Sequence, residues 1–457
     1  MQNSIIDRSD ISKASRLDAE YFQQKFLKLQ KNLDKKKYKR LHELCEFVRV
    51  GPAGSALSAS KYITSGITVF RPVDLNGWSC DNIKAVVISE EYCREKHLQL
   101  YRSGDILITR IGDIKFGIIQ ENNNSPVTIS PNLIALRVRK ELLDPYFLLA
   151  FLNTKFGLPQ IQRGKKLASL SSVGIKQIGN ILIPGLPLKE QKKIGDITRR
   201  GLGKMQLAKI LYSKAENMLL EEIGSPIMEE GRSSIVINHA RMRLAQRSDA
   251  EYFLSQKYTA HKAIKRVQIG EIAQIIRGIE PGSKAYQKSG KLFLRVSNIS
   301  KYGLLEKSQK YISINLYEKL QKKYRPRIGE ILLVKDGKPG VAFALGEPID
   351  GIISDGIVRL KLNASLTPEY ISLCINSPFC QSRISIDRDG SLVPHWKIDQ
   401  IKKLQIPVVS PAERKNIINN VKKSNTLFRE GKRGLNQVVQ QTEKFINRCL
   451  IEAQRLK

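Results

Sequence analysis

The feature that most constrains this chain is that it contains itself twice. Arg16-Leu-Asp-Ala-Glu-Tyr-Phe22 returns 231 residues later as Arg247-Ser-Asp-Ala-Glu-Tyr-Phe253, six residues of seven unchanged. Further matches follow in the same order. Leu41-His-Glu-Leu44 answers Ile269-Gly-Glu-Ile272, Gly54-Ser55 answers Gly282-Ser283, and Phe70-Arg71 answers Leu294-Arg295. Gly104-Asp-Ile-Leu-Ile-Thr-Arg110 aligns with Gly329-Glu-Ile-Leu-Leu-Val-Lys335, and Ile175 through Pro184 with Ile398 through Pro407. At Glu190 and Glu413 the offset is 223 residues, so the halves differ by a net of only about eight. One fold is therefore used twice, and the residues between the shared anchors differ freely.

Within each half the periodicity changes once. Ile106-Leu-Ile-Thr109, Leu133 to Val138 and Ile331-Leu-Leu-Val334 are short apolar runs bounded by Gly, Asn and Pro, as strands are. Asp144 to Asn153 and Thr367 to Asn376 have Pro in the first turn of a short helix, where its missing N–H costs nothing. After Ile183-Pro184 and Ile406-Pro407 the pattern becomes helical for dozens of residues. Met205, Ala208, Tyr212, Ala215 and Leu219 step by three and four, as do Leu435, Val438, Thr442, Phe445 and Cys449. Gly201, Gly203, Gly431 and Gly434 fall inside these helices at about 1 kcal/mol each relative to Ala, a cost that pairing must outweigh. Gly224-Ser-Pro226 ends the first helix.

The 77 Lys and Arg against 43 Asp and Glu give a net charge of +34, which calls for a polyanionic partner, nucleic acid before anionic membrane. At 41% hydrophobic residues the chain is too apolar for a disordered basic tail. The six cysteines form no C-x-x-C pair, against a disulfide scaffold or zinc ribbon and in favour of the cytoplasm. Neither a leader nor a membrane span is expected.

No phosphate-binding loop is present: Gly278 to Lys284 and Gly337-Lys-Pro-Gly340 have the wrong spacing. The Asn/Asp-Pro-Pro-aromatic tetrapeptide of amino-methyltransferases is absent as well. Glu190-Gln-Lys192 fits a nuclease-like Glu-x-Lys but sits at a helix start, where an acid favours the N-terminal dipole. The five histidines lack metal-ligand spacing, and only His395, in Val393-Pro-His-Trp396, falls in a plausible recognition loop. No metal site and no catalytic residue is expected in this chain.

Two globular modules, each followed by a long helix, together with Leu188-Lys-Glu-Gln-Lys-Lys-Ile194 at the helix opening, resemble the DNA specificity subunits of type I restriction-modification systems. The second copy departs from that opening, with Arg414 where Gln is usual. The resemblance covers essentially the whole chain. It implies an α+β fold of two mixed α/β target recognition domains separated by two long helices in an antiparallel coiled coil, with pseudo-two-fold symmetry. The implied boundaries are 1–184 for the first recognition domain, 185–224 for its helix, 225–407 for linker and second domain, and 408–457 for the second helix.

Each domain would read one half of a split, asymmetric site on double-stranded DNA. DNA adenine methyltransferase and restriction-translocase subunits are the implied partners, and S-adenosylmethionine, ATP and Mg would belong to them. Arg and Lys at polar, Gly-marked junctions can meet phosphates or guanine. The candidate contacts are Ser55, Lys61, Arg71, Arg110, Lys115, Arg163, Lys165 and Lys166 in the first half, and Ser283, Lys284, Arg295, Lys335, Lys338, Arg388 and His395 in the second. Arg71 could instead pair with nearby Asp74. A duplicated RNA-binding or assembly scaffold without base specificity would share the basic balance, but long paired helices suit a split duplex site.

Overall fold

The computed structural model describes residues 6–8, 11, 19, 21–33, 38–81, 85–120, 126–164, 172–224, 240, 242, 264–306, 308–363, 366–387 and 394–455. The Arg247 to Phe253 copy of the opening motif lies outside them. The chain forms two compact units. One comprises residues 1–203 and 430–457, the other residues 204–429, so each takes part of both long helices.

In the first unit β1 (Tyr38–Arg40) pairs antiparallel with β9 (Leu182–Pro184). The strands β2 (Cys45–Val50), β8 (Leu133–Val138), β5 (Ile106–Thr109) and β6 (Phe116–Ile118) lie side by side in that order. A second sheet runs β4 (Val86–Ile88), β3 (Ile67–Phe70), β7 (Val127–Ile129), with β3 and β7 parallel.

The second unit repeats this. β10 (Arg266–Gln268) pairs with β20 (Gln405–Pro407), and the four-stranded sheet runs β11 (Ala273–Arg277), β19 (Ile357–Leu362), β16 (Ile331–Val334), β17 (Ala342–Ala344). The three-stranded sheet runs β15 (Lys310–Ile312), β12 (Lys291–Leu294), β18 (Gly351–Ile353), again with its last pair parallel. A small hairpin, β13 (Ile299–Ser300) with β14 (Gly303–Leu304), is added. In the first unit the single bridge Leu75 to Cys80 takes that place.

The apolar runs become strands buried along their whole length, β5 and β16 at every residue. The helix Pro145–Leu152 is buried at all eight residues, consistent with an unbroken apolar sequence, and Asp144 opens it by accepting from the backbone N–H of Tyr146 and Phe147. Pro368–Asn376 is its counterpart. The repeated Gln-Ile has a local cause. Gln177 accepts the Gly174 N–H at 3.0 Å and Gln400 the Lys397 N–H at 2.8 Å, while Ile178 and Ile401 are buried directly after them.

The long helices run Leu188–Ile223 and Pro411–Arg455. A buried stripe extends well beyond the residues that the periodicity picks out, and at its Gln191 end it faces the globular part, since Gln191 donates to Leu142 O and Leu186 O. It runs Gln191, Ile194, Thr198, Gly201, Ala208, Tyr212, Ala215, Leu219, Ile223 on the first helix, with Met205 half-buried. On the second it runs Ile417, Val421, Ser424, Phe428, Gly431, Leu435, Val438, Thr442, Ile446. Phe445 is therefore displaced as a seam residue: its neighbour Ile446 is fully buried, because a straight α-helix of 3.6 residues per turn drifts against a strict 3.5-residue repeat. The side chain of Cys449 lies outside the described residues. Among the described residues no helix is long and apolar enough to cross a membrane.

Candidate nucleic-acid interface

In the first unit the ends of β2, β3, β5 and β7 and the start of β8 are tied together by main-chain hydrogen bonds. Gly51 N–H donates to Leu133 O (3.0 Å), Ser130 N–H to Phe70 O (2.8 Å), Arg110 N–H to Asn132 O (2.8 Å) and Val173 N–H to Arg110 O (2.9 Å). The second unit has the same four bonds. Gly278 donates to Ile357 (3.2 Å), Ser354 to Leu294 (2.8 Å), Lys335 to Gly356 (2.9 Å) and Trp396 to Lys335 (2.9 Å). Glycine is required at the first position in both, since a Cβ would stand 2.1 Å from Ser130 O or 2.0 Å from Ser354 O. The duplication thus extends to a rigid frame at one end of each pair of sheets, and the side chains on it differ.

On the first frame, Arg71 follows β3 and Arg110 follows β5. The Arg71 N–H donates to Asp74 Oδ2 at 2.8 Å and its Nε lies 3.4 Å from the same oxygen, so this arginine is partly engaged with a buried carboxylate. Lys115 donates to Pro72 O at 3.4 Å, which places it against the Arg71 turn. Among the described residues the Arg110 guanidinium makes no hydrogen bond or ion pair. Val73, in the same turn, is 72% exposed, an apolar side chain held out on a fixed loop.

The second frame is electrostatically different. Lys335 Nζ lies 2.6 Å from Asp336 Oδ2 and 3.3 Å from Asp355 Oδ2, and His395 Nδ1 lies 2.8 Å from Asp336 Oδ1. Arg295 N–H donates to Asn298 Oδ1 at 3.0 Å and its guanidinium to Ser308 O, Asn298 standing where Asp74 stands in the first unit. Lys338 is exposed beside this cluster. Asp336 and Asp355 were not singled out by the sequence pattern, although their matched positions, Ile111 and Pro131, show that both carboxylates are special to the second copy.

Other candidates sit elsewhere. Ser283 and Lys284 are exposed in the 3-10 turn Ser283–Ala285, and Ser55 lies in the matching turn Gly54–Leu57, its side chain outside the described residues. Lys61 is exposed with its ammonium 5.4 Å from the Tyr92 ring. Arg163 is engaged structurally: its Nε donates to Tyr21 O at 3.0 Å and its guanidinium lies 4.1 Å over the Tyr21 ring. Lys165, Lys166 and Arg388 lie outside the described residues.

Residues 33–206 match the family model described as Type I restriction modification DNA specificity domain. A relative from Methanocaldococcus jannaschii, whose assigned name is type I restriction enzyme MjaX specificity subunit, is 23% identical over 425 residues, 86% of this chain and 91% of its own length. Residues 33–206 are thus similar to the DNA specificity domain of type I restriction-modification systems. Solved structures of the family are also similar. The type I restriction-modification system S subunit from M. genitalium matches over 90% of this chain and 94% of its own, at 12% identity and a TM-score of 0.42. The HsdS subunit from Thermoanaerobacter tengcongensis matches over 91% and 95%, at 15% identity and a TM-score of 0.28.

Proposed function

We propose that this chain reads a bipartite, asymmetric site on double-stranded DNA, one unit per half-site, and positions methyltransferase and restriction subunits that carry out the chemistry. The observation that carries this reading is the doubled strand-end frame: the same main-chain bonds hold different side chains, as expected if two modules share a scaffold and read different bases. Basic side chains at these ends, Arg71, Arg110 and Lys115 in one and Arg295 and Lys338 in the other, suit phosphate or base contacts. Catalysis, with S-adenosylmethionine, ATP and Mg, belongs to the partners in this reading. The first recognition module spans roughly 1–184, and the linker with the second module roughly 225–407.

The long helices act as the ruler between half-sites, paired as an antiparallel coiled coil. Support comes from contacts between the two helices inside each unit. In the second unit Ser424 Oγ donates to Ala208 O at 2.7 Å, and Asn420 Nδ2 lies 3.7 Å from Met218 Sδ. In the first, Gly201 stands against Leu435 and Gly431 O. A helix of 36 residues is about 54 Å long, against roughly 34 to 36 Å for one DNA turn.

The test is a map of methylated adenines in cells that carry the methyltransferase partner, with and without this chain. A split motif that appears only with the chain supports the reading. Methylation independent of it favours a scaffold without base specificity. Inserting four residues near Lys209 adds about 6 Å of helix. The unread gap should lengthen while the bases of each half-site stay the same, and an unchanged gap at full activity would reject the ruler.

A further inference from the structure

Arg110 and Lys335 occupy the same place in the two frames, yet their surroundings are inverted. Arg110 has no carboxylate on it among the described residues, whereas two carboxylates converge on Lys335. Of these, Asp336 has both oxygens engaged, one on Lys335 and the other on His395. Asp355 is not. Its side chain is 50% exposed, its Oδ2 lies 3.3 Å from Lys335, and among the described residues its Oδ1 accepts no hydrogen bond. Its backbone is fixed at both sides, Asp355 N–H on Ile279 O at 3.1 Å and Gly356 O on Lys335 N–H at 2.9 Å, so the free oxygen is held in place rather than trailing on a loop.

We infer that the strand-end site of the second unit selects a base bearing an exocyclic amine, adenine or cytosine, through the free oxygen of Asp355, whereas the matched site of the first unit selects guanine through Arg110. The inference rests on the DNA-reading function proposed above and gives it a chemistry for each half. In the major groove adenine N6 and cytosine N4 are donors, which a carboxylate accepts and a guanidinium repels, while guanine offers O6 and N7 to an arginine fork. Lys335 cannot take the guanine role, because its ammonium is held between Asp336 and Asp355 and partly neutralised there. Its charge lowers the cost of bringing Asp355 up to the polyanion. Asp336, with His395 behind it, is a positioning residue that keeps Lys335 against Asp355.

The experiment is selection from randomised duplex DNA by the full chain bound to its methyltransferase subunits, comparing wild type with Asp355→Ala, Asp355→Asn and Arg110→Ala. Wild type should fix adenine or cytosine at one position of the second half-site and guanine at one position of the first. Asp355→Ala should cut the preference at its position about tenfold and leave the first half-site unchanged. Arg110→Ala should do the converse. Asp355→Asn keeps the shape of the side chain and provides the answer if the alanine variant does not fold: with a donor beside its acceptor, it should narrow the choice towards adenine.

Two results would overturn the inference. One is an unaltered second half-site in both Asp355 variants, including a uniform gain of affinity on all sequences, which would mean that the carboxylate only repels phosphate. The other is a uniform loss of affinity with a shallower salt dependence in Arg110→Ala, which marks a phosphate contact. If wild type selects no motif at all, the proposed function itself falls.

Discussion

Both units place an arginine on the central strand of the larger sheet against an acid at the start of the neighbouring strand, and the two pairs behave oppositely. In the first, Arg137 meets Asp105 in a two-pronged contact, Nε to Oδ1 at 2.7 Å and Nη2 to Oδ2 at 2.8 Å, with the arginine side chain still 20% exposed. The hydrogen bond to Asp105 pushes the Arg137 pKa up. In the second, Arg359 is only 5% exposed, touches Glu330 through one contact at 3.2 Å, and donates otherwise to the carbonyls of Lys323 and Arg325. Burial pushes its pKa down.

The cause lies in a neighbouring helix. Glu90–Glu95 has six residues in the first unit, and its counterpart Ile314–Tyr324 has eleven. The extra turns end over Arg359, which satisfies their last carbonyls at the expense of its own hydration. A helix extended at the expense of the loop after it has thus changed an ion pair from partly hydrated to desolvated without altering the sheet.

The largest expected effect follows from that difference. Glu330→Ala leaves a buried arginine without its counter-charge and should cost about 3–5 kcal/mol. Asp105→Ala leaves Arg137 free to hydrate and should cost about 1.5–3 kcal/mol. Hydrogen exchange in the full chain separates the units: protection should collapse in β16 and β19 for the first variant and fall less in β5 and β8 for the second. Equal losses would mean that the two environments are energetically the same.

These pairs also show what was legible beforehand. The strands and the proline-opened helices follow from local pattern, because each depends on neighbours within a few residues, and the repeat follows from matching the sequence with itself. The acids Asp336 and Asp355 do not, since what makes them a cluster is the approach of β16, the turn before β19 and the Pro394 to Trp396 segment, all distant in sequence. Lys335 and Arg163 were legible as basic residues but not as engaged ones. Phe445 illustrates a smaller limit: a period of three and four cannot say which of two adjacent apolar residues ends up inside after many turns.

A second comparison lies within the first unit's helices. Gly201 is buried in the seam, where a Cβ would lie 3.1 Å from Leu435 and 3.2 Å from Gly431 O, while at Gly203 and Gly434 a Cβ meets nothing within 4 Å. Gly203→Ala and Gly434→Ala should each stabilise by about 1 kcal/mol through helix propensity. Gly201→Ala gains the same propensity but must push the partner helix away, so it should destabilise the chain. Denaturant titration of the three variants orders them, and stabilisation by all three would show that the close approach at Gly201 is not required.

An effect of about the same size concerns the seam of the second unit, which carries a polar contact where the first has aliphatic packing. Tyr212 is buried with its ring 5.2 Å from Tyr302, and its hydroxyl accepts from Asn376 Nδ2 at 2.8 Å; Leu435 is the repeat's counterpart in the other helix. Asn376 Nδ2 also donates to Ala342 O at 2.7 Å, so it keeps one partner when the hydroxyl is removed. Tyr212→Phe should therefore cost only about 1 kcal/mol, the net worth of one hydrogen bond. Tyr212→Leu, which copies the other helix, also removes the edge-to-face contact with Tyr302 and should cost about 1 kcal/mol more than that. If Tyr212→Leu is as stable as Tyr212→Phe, the aromatic ring contributes nothing beyond volume and the two seams are interchangeable at this layer.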